Sequence, residues 1–433
     1  MSSLIWDKGS SSVDQTIQAF TAGDDIILDR QLIRYDIRAS IAHVRALANI
    51  DVLSNKEAHD LVQTLKELDA SIEAGEFQLD ERFEDGHSAI EAYLTEKLGD
   101  TGKKVHTGRS RNDQILVAQR LFLRDGLDGL QDLCLDIADS CLKRAEESVD
   151  IPMPGYTHLQ RAVPSSLGMW FAGYCEAFLD NAHLATSTRR WLNTNPLGTA
   201  AGYGVNLPLD RDSTSRELDF ERLQLNPIYA QNSRGKFELQ AVMAFLQALL
   251  DLRRLAWDLS LFTTAEFAFV DLPDAYTTGS SIMPNKRNPD VVELLRAATS
   301  PAIGALNELL SLLSLPAGYH RDLQNTKGPV LRALHSGRRA LSLVPDLVTE
   351  LTFRPQKMEE AIDGPMHATD RAVELTAAGI PFRDAYRQVA GEMDELHDRD
   401  SKESIENRNS PGGCAALRLD VLQSRLRQLR ETP

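Results

Sequence analysis

The chain has 433 residues, 42% hydrophobic and 25% charged, the balance of a soluble globular protein with material for two or three domains. A formal charge of −16 argues against general nucleic-acid binding, which needs a basic surface, so an anionic ligand would require a local cationic pocket. The four cysteines, Cys134, Cys141, Cys175 and Cys414, show no Cys-x-x-Cys spacing and read as reduced packing residues. The N-terminus, with Asp7 and Lys8, has no apolar leader, and no apolar run approaches the ~20 residues that span a bilayer, so a cytoplasmic protein is expected.

No proline precedes Pro152, and Ile33, Ile37, Ile41, Val44 and Leu47 recur at helical spacing, so the first third is predicted to be mainly helical. A second helix is predicted over 115–149, with interruptions near Gly126 and Gly129. Segments unlike helix follow at 150–164, 193–212, 271–289 and 315–328, where Pro, Gly, Asn and Thr concentrate; these are the expected functional loops. Between them, Leu239, Val242, Met243, Leu246, Leu249, Leu250 and Leu259 recur at threes and fours without proline. They predict a helix over 237–262, roughly 40 Å long at 1.5 Å per residue, and hence an elongated bundle. A further helix is predicted over 291–313. Its apolar positions, like those of 115–149, are too many for one stripe, which suggests burial by several neighbours and a core shared between subunits. After Thr352-Phe353-Arg354-Pro355 shorter helices restart, 398–413 reads as a polar connector, and a Leu/Arg helix closes the chain.

The run Gly279-Ser280-Ser281-Ile282-Met283-Pro284-Asn285-Lys286-Arg287-Asn288-Pro289 combines mobility, hydroxyls and positive charge. Gly279 permits unusual backbone angles, Ser280 and Ser281 supply oxygens, and Lys286 with Arg287 can draw an anion or lower a hydroxyl pKa. A Gly-Ser-Ser alone is usually a surface turn. The whole string is more specific: it resembles the signature of the fumarase/aspartase superfamily, whose members cleave a C–N or C–O bond β to a carboxylate. His106-Thr107-Gly108-Arg109-Ser110-Arg111-Asn112-Asp113-Gln114 and Pro154-Gly155-Tyr156-Thr157-His158-Leu159-Gln160 fit the same superfamily. The first of these blocks is similar to the argininosuccinate lyase form, as are Tyr319 to Lys327, Ala368-Thr369-Asp370 and Gly379 to Arg383.

The resemblance implies an all-α fold: an elongated central helical bundle forming a tetrameric twenty-helix core, with smaller helical N- and C-terminal domains. The corresponding boundaries are 1–112, 113–355 and 356–433. It implies cleavage of argininosuccinate into arginine and fumarate, the last step of arginine biosynthesis, without a cofactor or metal, in a homotetramer whose active sites draw on several subunits. Another fumarate-releasing lyase, aspartase-like or adenylosuccinate-like, and a non-catalytic crystallin-like protein are the alternatives.

Proton removal next to a carboxylate builds a second negative charge on an anionic group, so a base, cationic or amide donors and an acid for the leaving nitrogen are required. By resemblance Ser280 is the base, His158 the acid held charged by Glu293, and Lys286 the cation that grips the aci-carboxylate with Asn288; older family accounts exchange the His and Ser roles. Arg111 and Asn112 bind a carboxylate, with Ser110 and Arg109 beside them, and Thr157 is a further donor to the group gripped by Lys286 and Asn288. Tyr319, Gln324 and Lys327 match substrate-binding positions, and Ser281 and His87 are supporting residues. His87 and Glu91 stand one helical turn apart without a third ligand in sequence, which disfavours a metal.

There are departures. Phe20-Thr21-Ala22-Gly23-Asp24-Asp25 replaces a Phe-Asn-x-Ser element and lengthens it, so the usual serine contact is lost and Asp24 or Asp25 becomes a candidate to balance the substrate guanidinium. Asn285 replaces a common glutamine, and Arg234-Gly235-Lys236 replaces a common Arg-Asp pair.

Overall fold

The computed structural model describes residues 15–431 except Glu81 and Asp398, so the first residues, read above for a leader, lie outside the described part. In chain order its helices and strands begin with α1 (Gln15–Ala22), α2 (Asp25–Asp29), α3 (Ile33–Asn49), α4 (Asn55–Glu73), α5 (Gly86–Leu98) and α6 (Arg111–Glu147). A hairpin of β1 (Pro152–Thr157) and β2 (Gln160–Ser166) leads into α7 (Leu167–Leu192). Then come β3 (Thr194–Asn195), α8 (Arg211–Glu217), β4 (Arg222–Leu223), α9 (Pro227–Asn232) and α10 (Lys236–Phe262). The short strands β5 (Val270–Asp271), β6 (Thr278–Gly279) and β7 (Arg287–Asn288) precede α11 (Asp290–Ala297), α12 (Thr299–Leu312), α13 (Lys327–Leu341) and α14 (Val344–Glu350). The chain ends with β8 (Thr352–Phe353), α15 (Pro355–Glu360), α16 (Ala368–Ala377), α17 (Phe382–Gly391), α18 (Ser401–Glu406) and α19 (Leu419–Glu431). The fold is all-α, and among the described residues the strands pair in twos: β1 with β2, β5 with β8 and β6 with β7 antiparallel, β3 with β4 parallel.

Backbone packing divides the chain into two compact units. The first comprises the stretch ending at Gly129, with Ala185–Ala244 and Pro301–His335; the second comprises Leu130–Leu184, Phe245–Ser300 and the stretch from Ser336. Within the first, α3, α4 and α5 bury Ile37, Val44 and Leu47 against Leu61, Leu65, Leu68, Ile90 and Leu94. Capping boxes fix two of these helix starts: Ser54 with Glu57 on α4, Asp85 with Ser88 on α5.

The helices predicted over 33–47 and 237–262 stand as α3 and α10. Two other expectations are corrected. Helix α6 runs unbroken for 37 residues through Gly126 and Gly129; a glycine costs only about 1 kcal/mol in a helix, and a side chain on Gly126 would start 3.0 Å from Leu334. The single helix predicted over 291–313 is two, α11 and α12. Pro301 has no N–H for the Ala297 carbonyl and its ring crowds that carbonyl, so the first helix ends there. The segment 150–164 is largely a β-hairpin, and the polar connector 398–413 contains α18. All four cysteines are free and buried. Among the described residues no helix is long and apolar enough to cross a membrane.

Candidate active site

The predicted residues fall into two groups, one in each unit. In the first unit His87, Arg111, Asn112, Tyr319, Gln324 and Lys327 line a cavity of about 190 Å³, while Arg109 and Ser110 lie outside its lining. Lys327, only 3% exposed, places its Nζ 2.7 Å from Asp25 Oδ1 and 2.7 Å from Asp29 Oδ1. Burial pushes the Asp25 carboxyl up, against the opposing pull of Lys327. The local turn puts Asp25 there: α1 ends at Ala22, Gly23 turns at φ 54°, and α2 begins at Asp25. Gln324 Nε2 holds this turn by donating to the carbonyls of Thr21 at 3.0 Å and Ala22 at 3.1 Å, and Arg321 donates to Thr21 at 2.7 Å. Tyr319 completes this side, its ring centroid 5.8 Å from the buried Arg234 guanidinium.

On the other side Arg111 opens α6, with Nη1 3.1 Å from Asp85 Oδ2 and 3.2 Å from Glu84 Oε2, while its buried Nη2 has no hydrogen-bond partner among the described residues. A buried arginine N–H without a partner is costly, so it is available to a ligand anion. Ser110 and Asp113 fix the start of the helix: Asn112 N donates to Ser110 Oγ, and Ser110 N donates to Asp113 Oδ1 at 2.9 Å. Asp113 Oδ2 accepts from Gly198 and Ala200, and burial raises its carboxyl pKa.

Behind this wall lies a buried polar network centred on Asp36. His87 Nδ1 lies 2.6 Å from Asp36 Oδ2, and Gln114 Nε2 donates to both Asp36 oxygens. Burial opposes both charges, yet the mutual attraction prevails, raising the His87 pKa and lowering that of Asp36. Arg109 donates to Ser40 Oγ at 3.0 Å and meets His106 Nδ1 at 2.9 Å, so it supports the wall rather than opening onto the cavity. Glu91 lies 3.5 Å from His106, and among the described residues no group of three or more His, Cys, Asp and Glu is arranged to hold a metal.

Asp29, Asp36 and Arg234 were not among the residues singled out for the site. Asp36 carries a signal: it sits between Ile33 and Ile37 on the buried face of α3, where an acid demands a partner.

The second unit carries the other group. Thr157 and His158 are exposed at the tip of the β1–β2 hairpin. Thr157 pairs with Gln160, and the two residues between, His158 and Leu159, have φ of 56° and 59°. Both central residues of a type I′ turn need this left-handed conformation, which is strained for a leucine. At the hairpin's irregularity Gly155 is required, because a side chain there would start 2.8 Å from the Val163 carbonyl.

Strands β6 and β7 pinch the base of the predicted catalytic loop. Ser280 Oγ accepts from the backbone N–H of Met283 at 3.1 Å and Ile282 at 3.3 Å. Ser281 and Lys286 are exposed, Asn288 is half-buried on β7, and no ion pair to Lys286 exists among the described residues. Arg287, read as a possible anion binder, is instead directed at the loop base: it donates to Leu272 O at 2.7 Å, Asp274 Oδ1 at 2.5 Å and Thr277 Oγ1 at 3.0 Å. Thr278 hydrogen-bonds Asp290 alongside. Glu293, on the first turn of α11, accepts from Arg296 Nη2 at 3.2 Å.

Comparison with known proteins supplies the lineage. The lyase family profile matches residues 8–304. Argininosuccinate lyase of Xanthomonas campestris pv. campestris is 56% identical over 431 residues, covering 99% of this chain and 100% of that protein. Argininosuccinate lyase of Xylella fastidiosa is 55% identical over 432 residues, covering 100% of this chain and 97% of the other. Among solved structures, EDDS lyase in complex with formate superposes with a TM-score of 0.79 at 24% identity, covering 97% of this chain and 92% of that one. Class II fumarase from Schistosoma mansoni gives 0.72 at 16% identity, covering 89% and 94%. The structural likenesses speak to fold alone; full-length identity above one half speaks to descent, and the chain belongs to the argininosuccinate lyase family.

Proposed function

We propose that the chain splits argininosuccinate into arginine and fumarate by β-elimination through an aci-carboxylate, as a cytoplasmic homotetramer with domains at 1–112, 113–355 and 356–433. The observation that carries the mechanism is Ser280 Oγ receiving two backbone N–H groups, because donors aimed at that oxygen stabilise the alkoxide a serine base needs. Lys286, with Asn288, holds the carboxylate whose charge grows in the transition state. His158 protonates the departing nitrogen, with Glu293 keeping the imidazole charged, and Thr157 donates to the same carboxylate as Lys286. Arg111, Asn112 and Ser110 bind the fumarate-forming end; Tyr319, Gln324 and Lys327 serve the arginine end, where Asp25 balances the guanidinium. Ser281, Arg109 and His87 support these groups.

Two features favour assembly from copies. Trp257, Leu294, Ile303 and Leu310 remain exposed on the bundle helices of the single chain, at 47%, 71%, 40% and 58%. Among the described residues the Glu293 carboxylate pairs only with Arg296, leaving a second oxygen for an imidazole from another copy. Fumarate formation from argininosuccinate, aspartate, malate and adenylosuccinate tests the substrate assignment. Turnover is expected with argininosuccinate; turnover with another of the four and none with argininosuccinate would reject it.

A further inference from the structure

The C-terminal helices enclose a second cavity, of about 440 Å³, that none of the chemistry above uses. One wall is a single face of α16, carrying Asp370, Val373, Glu374 and Ala377; the other is α18 with its flanks, carrying Arg399, Asp400, Glu403 and Arg408. Its cations are already matched: Arg408 Nη2 lies 2.7 Å from Asp370 Oδ1 and Arg399 Nη1 2.6 Å from Glu374 Oε1. Asp400 and Glu403 have no ion pair among the described residues, so the open rim is acidic.

The inner side has the opposite need. His367 lines the cavity at 2% exposure, and neither its Nδ1 nor the buried Arg408 Nε has a hydrogen-bond partner among the described residues. The nearest acid, Asp370 Oδ2, stands 3.7 Å from His367 Nδ1, beyond hydrogen-bond reach. A buried guanidinium N–H without an acceptor is rare in native proteins because its desolvation goes uncompensated. Between inner donors and acidic rim, exposed Val373 and Ala377 offer an apolar strip.

We propose that this cavity is a second ligand site for an elongated amphoteric molecule, a cationic amino acid. Its carboxylate meets Arg408 Nε–H and His367, its stem lies along Val373 and Ala377, and its guanidinium or ammonium sits between Asp400 and Glu403. The elements around the cavity also brace the His158 hairpin: β2 packs on the 364–367 turn and α18, β1 packs on α15 and α18, and Arg161 of β2 lies 2.7 Å from Asp363. Occupancy therefore stiffens the hairpin whose tip carries His158.

The first probe, L-arginine, is chosen because it is the proposed product, and to that extent the test rests on the proposed function. Calorimetric titration of L-arginine into the intact protein should find two sites per chain. Val373→Trp, which fills the strip, and Glu403→Lys, which reverses the rim, should each weaken one site at least tenfold while leaving argininosuccinate turnover intact; both side chains are exposed, so neither change enters the core. Agmatine, which lacks the carboxylate, should bind that site at least tenfold more weakly than arginine. Amide exchange over residues 152–166 should slow when arginine is bound. One arginine site per chain, unaltered by both variants, overturns the proposal, and equal binding of agmatine overturns the amphoteric assignment. Arginine binding sensitive to Glu403→Lys in a chain that does not cleave argininosuccinate would sustain this site and reject the proposed function.

Discussion

At the scale of the residue the account turns on a few oxygen atoms and the groups aimed at them. Removing the Ser280 hydroxyl should lower kcat by about 10³-fold or more, in the upper part of the range for general base catalysis, with no change in the assembled state by light scattering; near-normal turnover of Ser280→Ala would reject it as the base. Asp25 and Asp24 separate cleanly in position, since Asp25 meets Lys327 and Asp24 is exposed outside the cavity lining. Asp25→Asn should raise KM for argininosuccinate several-fold and Asp24→Asn should not; an unchanged KM in Asp25→Asn contradicts the guanidinium role. The buried network sets the pH response. Burial, together with Arg109, pushes the His43 pKa down from 6.5 to about 3, and burial likewise lowers His106. Below pH 6.5 the unfolded chain therefore binds protons that the folded chain refuses, so stability falls as pH drops from there towards 3. His87, with its raised pKa, acts in the opposite sense, contributing stability at low pH that is lost as pH rises through its folded value. Melting measured from pH 7 down to about pH 5 should decline less steeply in His43→Gln; identical slopes would show that this ring is not a source of the acid sensitivity. The residues around Ser280 were legible because they are contiguous in sequence. Asp29 and Arg234 were not, because Asp29 meets Lys327 across 298 positions and Arg234 meets Tyr319 only through the fold.

At the scale of the element, apolar spacing located the long helices but said little about where they break. Pro301 was visible in the sequence, yet the apolar pattern continues across it; Gly126 and Gly129 invited an interruption that packing overrides. The hairpin was hidden for a different reason. Its turn residues, His158 and Leu159, lack the Asn-Gly or Asp-Gly pair that announces a type I′ turn, and Pro152, Pro154 and Pro164 argue locally against strands. Its shape depends on Gly155, where the close approach of Val163 O leaves no room for a methyl group. Gly155→Ala should destabilise the protein by about 1–3 kcal/mol, the usual penalty for overpacking, and lower kcat by displacing His158. Unchanged melting and turnover would mean that the hairpin tolerates the wider register.

At the scale of the whole molecule, the two groups of predicted residues belong to different compact units, and the proposed function requires blocks from different subunits to meet. A core shared between copies is the expectation drawn from helices with too many apolar positions for one stripe, and Leu294, Leu310 and Trp257 are exposed in the single chain. Subunit number was not legible, because burial by neighbours does not count them. Complementation between inactive variants addresses sharing directly. His158→Asn and Ser280→Ala proteins, unfolded together and refolded into mixed assemblies, should regain a measurable fraction of wild-type fumarate release from argininosuccinate, since some sites then receive both native residues from different copies. Mixed assemblies confirmed by mass spectrometry but as inactive as either parent would contradict the claim that the site is built from more than one chain.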